Sequence, residues 1–181
     1  SNVVPRLKEL PGFMGAYWFA DRDSGKFYAA TFFDSQDSLD ASREPARQIR
    51  NENMQGSRVR FDAVKEFEVV ATTGDKVSTT ATYARVTRTE NDPSRFDYAA
   101  GAIRSTVIPE AQAMQGFQGG FWLADRQSGE GFGATLWDSA DALHATRAPS
   151  DDLRRRVTDD IGSQVTHVHD LEVVLRAETP G

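Results

Sequence analysis

The sequence predicts an α+β chain made of two copies of one β-α-β-β-α-β unit. Three observations lead there. Residues 12–43 and 116–147 align without a gap at an offset of 104, and 20 of the 43 pairs from Ser1/Ser105 to Arg43/Arg147 are identical. A repeat this long points to duplicated domains and not to a solenoid, whose repeats run about 20–50 residues. Within the second copy, β-rich and helix-periodic stretches alternate in the split-βαβ order of a ferredoxin-like unit. Its middle strands also lack the polar alternation of a sheet with one face in water, so both faces are expected to be covered, the second by the sheet of the other copy.

The second copy is the clearer guide to the elements. Thr79 to Arg88 is rich in β-branched residues and reads as its first strand. Asp92-Pro93 supplies an N-cap and a first helical residue. Phe96, Ala99, Ala100, Ile103, Val107 and Ile108 then recur at helical spacing, and the helix is expected to stop at Gln115-Gly116. Gly119–Ala124 and Phe132–Trp137 read as a hairpin around Asp125-Arg-Gln-Ser-Gly129. Ser139 should cap a second helix that buries Leu143, with Pro149 breaking it before a short helical piece over Asp151–Asp160. Gln164–Leu175 is the fourth strand.

The first copy shows the same pattern from Ser1 onward, and its match fades after Pro45/Pro149. It returns as Glu68-Val69-Val70 over Glu172-Val173-Val174. About one strand and half a helix of the unit have no counterpart ahead of Ser1. The expected division is residues 1–77 for an N-terminally incomplete first repeat and 78–181 for a complete second one.

Composition narrows the function classes. The chain has 181 residues, 27 acidic against 21 basic side chains and a net charge of -6, which disfavours nucleic-acid binding. It has no cysteine, so disulfides, thiolate nucleophiles and cysteine-based metal centres are excluded. No apolar run approaches the ~18 residues of a membrane helix. The start lacks the charged-then-apolar pattern of a signal peptide, and a cytoplasmic location is expected.

Gly116-Phe117, the strand Gly120–Ala124 and Ala134-Thr-Leu-Trp-Asp-Ser-Ala-Asp-Ala-Leu143 resemble the antibiotic-biosynthesis-monooxygenase-like family of dimeric α/β barrels. The resemblance covers most of each copy. It implies two ferredoxin-like units packed sheet against sheet, here as an intramolecular dimeric α/β barrel. It also implies binding of a small apolar or aromatic molecule, with self-association through the sheet edges as a further expectation. Some members oxygenate aromatic or polyketide-like substrates without a cofactor, and others degrade haem. At the places where the haem-degrading branch carries Asn, Trp and His, this sequence has Ala84, Thr146 and, near the third, Arg156. That machinery is not expected here, and the favoured reading needs no bound cofactor.

The aromatic residues Trp18, Trp122, Trp137 and Tyr83 are the candidate pocket lining, against the plainer reading that they are core. Trp18 and Trp122 are repeat equivalents. All three histidines lie in the second copy. His144, near the start of the second helix, is the candidate general base, against a plain surface histidine. His167 and His169 share a strand face and are a weak alternative as metal ligands, with no third ligand evident. Arg154-Arg155-Arg156 is flanked by aspartates and reads as a solvated helical face. Gly129-Glu-Gly-Phe-Gly133 opens no helix and is rejected as a phosphate loop. Asp21-Arg22 and Asp125-Arg126 read as turn-stabilising or ion-pairing elements. Two functional readings follow: a cofactor-independent monooxygenase, or a non-catalytic ligand-sensing or assembly module of the same fold.

Overall fold

The computed structural model describes residues 2–57, 61–74 and 77–179. The chain is α+β and divides into two compact units, one of Ser1–Val64 with Val173–Gly181, the other of Lys65–Glu172.

The first unit contains α1 (Val3–Lys8), β1 (Phe13–Ala20), β2 (Phe27–Phe33) and α2 (Gln36–Met54). β1 and β2 form an antiparallel hairpin with Tyr17 opposite Ala30 and Trp18 opposite Ala29. The end of the chain's last strand flanks β1 on its other side. Leu7, Leu10, Phe13, Ala16, Ile49 and Ala177 form the core, with Trp18 and Phe33 packed against it. Ser35 caps α2 by accepting from the Ser38 N–H at 3.2 Å.

The second unit holds β3 (Glu68–Thr72), β4 (Tyr83–Glu90), α3 (Phe96–Ala102), α4 (Ile108–Gln112), β5 (Phe117–Ala124), β6 (Glu130–Trp137), α5 (Ala140–Ala145), α6 (Arg147–Ile161) and β7 (Gln164–Glu178), whose last residues belong to the first unit. Its strands lie in the order β7-β4-β6-β5-β3. β4 pairs antiparallel with β6 and β7, and β5 with β6 and β3. Taking β4, β5, β6 and β7 as strands one to four, the order 4-1-3-2 is the ferredoxin-like one. β3 adds to the β5 edge, with Val69 opposite Leu123 and Ala71 opposite Trp122. β3 precedes residue 78, the expected boundary between the two copies, and the compact units divide the chain at other places than that expectation.

Several elements recur at the 104-residue offset. β1 and β5 share their bounds, and each carries an irregularity at its start, Phe13/Gly15 and Phe117/Gly119. In the hairpin loops Asp21 and Asp125 each accept the backbone N–H two residues on, both at 3.0 Å, and the hydroxyl three residues on. These aspartates therefore hold the turns. Ser139 caps α5 just as Ser35 caps α2, accepting from the Ala142 N–H at 3.2 Å.

Two departures from the expected boundaries have a visible local cause. β4 starts at Tyr83, because Thr79 to Thr82 are spent on the approach, where Thr82 donates to the Asp138 carbonyl at 2.6 Å. The helix after Ser139 breaks at Thr146, not at Pro149. Pro149 sits in the first turn of α6, where its missing N–H has no carbonyl to serve. The Thr146 hydroxyl instead turns back onto the Ala142 carbonyl at 2.8 Å. Between α3 and α4 the helix widens into a π turn, Ile103–Val107. Pro109 follows it and has no N–H to close the ordinary bond to Ser105.

One glycine of the hairpin loop is sterically required. Gly129 has φ +79°, and a Cβ there would lie 1.9 Å from the Asn91 carbonyl oxygen. Its repeat equivalent, Gly25, has φ +73° with nothing within 4 Å. G25A should therefore cost only the left-handed penalty, about 1–2 kcal/mol, and G129A distinctly more. Urea denaturation of both variants checks this, and equal midpoints would contradict the steric account.

Candidate functional site

The helix-side face of the second unit's sheet does not close against its helices. Side chains alternate along a strand, so Arg85, Thr87 and Thr89 of β4 point to one face, with Thr135 and Trp137 of β6 beside them. Opposite stand Ala99 and Ile103 from α3 and the π turn, Val107, Met114, and the α6 stripe Leu153, Val157 and Ile161. Between them is a cavity of about 160 Å³. The other face of the sheet is buried as well, with Ala84, Val86, Ala134, Leu136 and Leu171 at most 2% exposed.

Absent side chains make the cavity. Trp122 lies across the sheet over two glycines. A Cβ on Gly120 would come within 2.7 Å of the indole, and one on Gly133 within 2.9 Å. Gly131 spares a clash at 2.3 Å with the Thr89 hydroxyl. At the 104-residue offset, Ala16 and Ala29 stand where Gly120 and Gly133 do. The glycine-rich run is thus a hairpin strand, as its failure to open a helix implied, and its glycines make room for an indole. Trp137, fully buried, forms the next wall. It meets Phe117 edge to face at 5.7 Å and donates from Nε1 to the Thr135 hydroxyl at 3.2 Å.

The polar groups gather at the two ends. At one end Asn91 donates to Thr89 Oγ1 at 3.1 Å and to the Gly129 carbonyl at 2.8 Å, and accepts from the Ser163 hydroxyl. Two carboxylates line this end and both are occupied. Ser94 holds the Asp92 carboxyl below its ordinary range, and the Gln127 N–H, aided by the Ser128 hydroxyl, does the same for Asp125. At the other end is Arg85, whose side chain is 2% exposed. Its Nε donates to Asp170 Oδ1 at 2.8 Å, and its Nη2 to the Leu143 carbonyl at 2.7 Å and to Asp170 Oδ2 at 3.3 Å. Its Nη1 is buried without a hydrogen-bond partner among the described residues. Asp170 also receives Arg147, the first residue of α6. Arg154 lines the same end and is 16% exposed. Burial pushes its guanidinium below its ordinary value; nearby Asp151 opposes that shift and nearby Arg85 adds to it.

The structure brings Trp122 and Trp137 into this cavity and leaves the other sequence candidates outside its lining. His144 is exposed in the last turn of α5. Tyr83 stands half-buried at the start of β4, between Trp137 and Glu172. Trp18 packs on the first unit's core. His167 and His169 sit on the sheet face away from Arg85 and Asp170, their rings 5.7 Å apart. Among the described residues no group of three or more histidines or carboxylates is placed to hold a metal ion.

The groups that sequence reading passed over are Arg85, Asp170 and Arg154. The arginine run is a solvated face only for Arg155 and Arg156, 68% and 46% exposed and paired with Asp152 and Glu110. Arg154 turns inward. The available signal was its spacing, four residues after Ser150 and three before Val157, which sets it on the flank of the apolar stripe.

No protein-family model matches the chain. Two uncharacterised proteins of Mycobacterium tuberculosis are similar along most of it. Rv2557 is 27% identical over 175 residues, covering 96% of this chain and 77% of the relative. Rv2558 is 25% identical over 176 residues, covering 96% and 73%. The fold is shared with solved structures of low identity. One is the Fusobacterium nucleatum "putative monooxygenase (FN1347)", with a TM-score of 0.68, 14% identity and coverage of 99% of this chain and 85% of that one. Another is an anthrone oxidase-like protein, at 0.67, 15%, 99% and 85%. A Listeria monocytogenes ferredoxin-fold protein related to antibiotic biosynthesis monooxygenases follows at 0.52, 8%, 95% and 97%. The chain therefore has an α+β fold with ferredoxin-like, monooxygenase-related neighbours. No described helix is long and apolar enough to cross a membrane.

The buried pair yields a direct test. Asp170→Ala leaves Arg85 as an uncompensated buried charge and should cost about 3–5 kcal/mol. Adding Arg85→Met removes that charge and should recover most of the loss. Urea unfolding of the single and double variants reads this, and a double variant no more stable than D170A would dismiss the pair as the cause.

Proposed function

We propose that the second unit binds a small ring-bearing molecule in the cavity between Trp122, Trp137 and α6, and oxygenates it without a bound cofactor. The observation that carries the binding reading is an apolar cavity with two indole walls and a few convergent polar groups, the usual form of a small-molecule site. Its size argues for one ring or two small ones. An apolar cavity of about 150 Å³ is known to take up benzene, whereas sites for drug-sized ligands run about 300–1,000 Å³. A polyketide-sized substrate would require the walls to move. The chain is further read as two fused copies of the unit found in dimeric α/β barrels, on the strength of the 104-residue offset.

The oxygenase reading draws on the monooxygenase and anthrone oxidase names of the fold neighbours. Its chemistry suits a substrate with an acidic methylene beside a phenol or ketone. Loss of a proton gives a carbanion, with the negative charge delocalised onto the adjacent oxygen. The carbanion bonds to dioxygen, and the resulting hydroperoxide loses water. One methylene becomes one carbonyl, and dioxygen ends as that carbonyl oxygen and one water. His144, exposed on α5, is set aside as the base. The carboxylates of Asp92 and Asp125 are held by turn donors, so the proton passes to solvent and the substrate must be acidic by itself. That same occupancy of the carboxylates favours a second reading, a ligand sensor that binds without turnover.

Binding and oxygen uptake separate the two readings. Small phenols, hydroquinones and cyclic ketones should quench tryptophan emission, and Ala99→Leu, which fills the cavity from α3, should weaken that binding more than tenfold while leaving the thermal midpoint within a few degrees. Oxygen consumption with product formation supports the enzyme; binding without consumption supports the sensor. Absence of binding by any of the panel would overturn both.

A further inference from the structure

The cationic end of the cavity is built for something the chain itself does not provide. Arg85 spends Nε and Nη2 on Asp170 and the Leu143 carbonyl, while Nη1 is buried and unpartnered. Buried donors in folded proteins are nearly all paired, and an exception at a cavity wall calls for an acceptor from outside. The surrounding charge agrees. Asp170 receives both Arg85 and Arg147, and Asp151 receives both terminal nitrogens of Arg154 at 2.7 and 2.8 Å. Three guanidinium groups thus face two carboxylates, which leaves one positive charge at this end.

Resting on the binding reading above, we propose that the ligand is a carboxylic acid whose carboxylate docks on Arg85 Nη1 and Arg154 while its ring lies against Trp122 and Trp137. A carboxylate fits better than a phosphate ester. One negative charge matches the one unbalanced positive charge, and two oxygens match two guanidinium donors. A dianion would leave a surplus negative charge and a third oxygen without a charged donor. A neutral ligand would leave Nη1 without an acceptor of matching charge. The apolar length of the cavity sets the rest of the ligand as an aryl or arylalkyl group.

The test compares benzoate, phenylacetate and 3-phenylpropanoate with their primary amides, which keep shape and lose charge. Tryptophan fluorescence titration of the full chain at two salt concentrations gives the affinities. At least one acid is expected to bind ten times more tightly than its amide, with the gap narrowing at higher salt. Arg154→Gln, on the cavity-lining flank of α6, should bring the acid down to the amide and leave the amide unchanged. Arg85→Lys, which keeps a charge for Asp170 but removes the Nη1 donor, should do the same. Equal affinities for acids and amides would overturn the carboxylate while leaving the binding reading intact. An acid preference that survives both variants would overturn it as well, by placing the anion elsewhere. If acids, amides and the phenol panel all fail to bind, the binding reading falls and takes this inference with it.

Discussion

The second unit depends on one buried ion pair. Arg85 on β4 and Asp170 on β7 stand opposite one another, and their side chains meet on the helix side of the sheet. From there the contacts spread. Arg85 also reaches the Leu143 carbonyl on α5, and Asp170 also holds Arg147 at the start of α6. Two strands and two helices are therefore registered by one charged cluster. A buried pair seldom adds stability over a well-packed apolar pair. What it adds here is placement, because its planar guanidinium accepts few arrangements of its partners.

The same cluster explains why the sheet and helices stay apart. An apolar layer with no ordered charge would collapse toward native packing density. Here the helices are held at one end by the ion pairs, and the Trp122 indole, which rests on Gly120 and Gly133, lines the space between. The open volume is thus a product of two opposite devices, a large ring at one position and missing Cβ atoms beneath it. Trp18, 104 residues before Trp122, has Ala16 and Ala29 at the positions matching the two glycines, and it joins a core.

Much of this architecture was legible in the sequence. The order of elements followed from β-branched runs, helical spacing, Ser139 as a cap and Gly129 as a turn residue. That Trp122 and Trp137 stand on strands was legible too; whether they would be core or cavity lining was not, and Trp18, on a strand of the first unit, packs against a core. Nor was Arg85 legible. One of two arginines within Tyr83–Thr89, it looks like any solvent-facing residue, because strand periodicity gives alternation without saying which face is inward. Its partner lies 85 positions away at Asp170, and only folding brings them together. His144 misled for the converse reason. A titratable side chain in a suggestive stretch of sequence says nothing about whether its helix turns it toward the sheet.

The π turn at Ile103–Val107 has a consequence for the cavity's long wall. Ala99, Ile103, Val107 and Ala111 line it at intervals of four residues. On an ordinary helix of 3.6 residues per turn such a row winds off by about 40° at each step and leaves the cavity within three steps. One widened turn, placed midway, restores the phase. A proline that at first looks like damage to the helix therefore acts as a timing correction, keeping one row of small and branched side chains parallel to the strands beneath it.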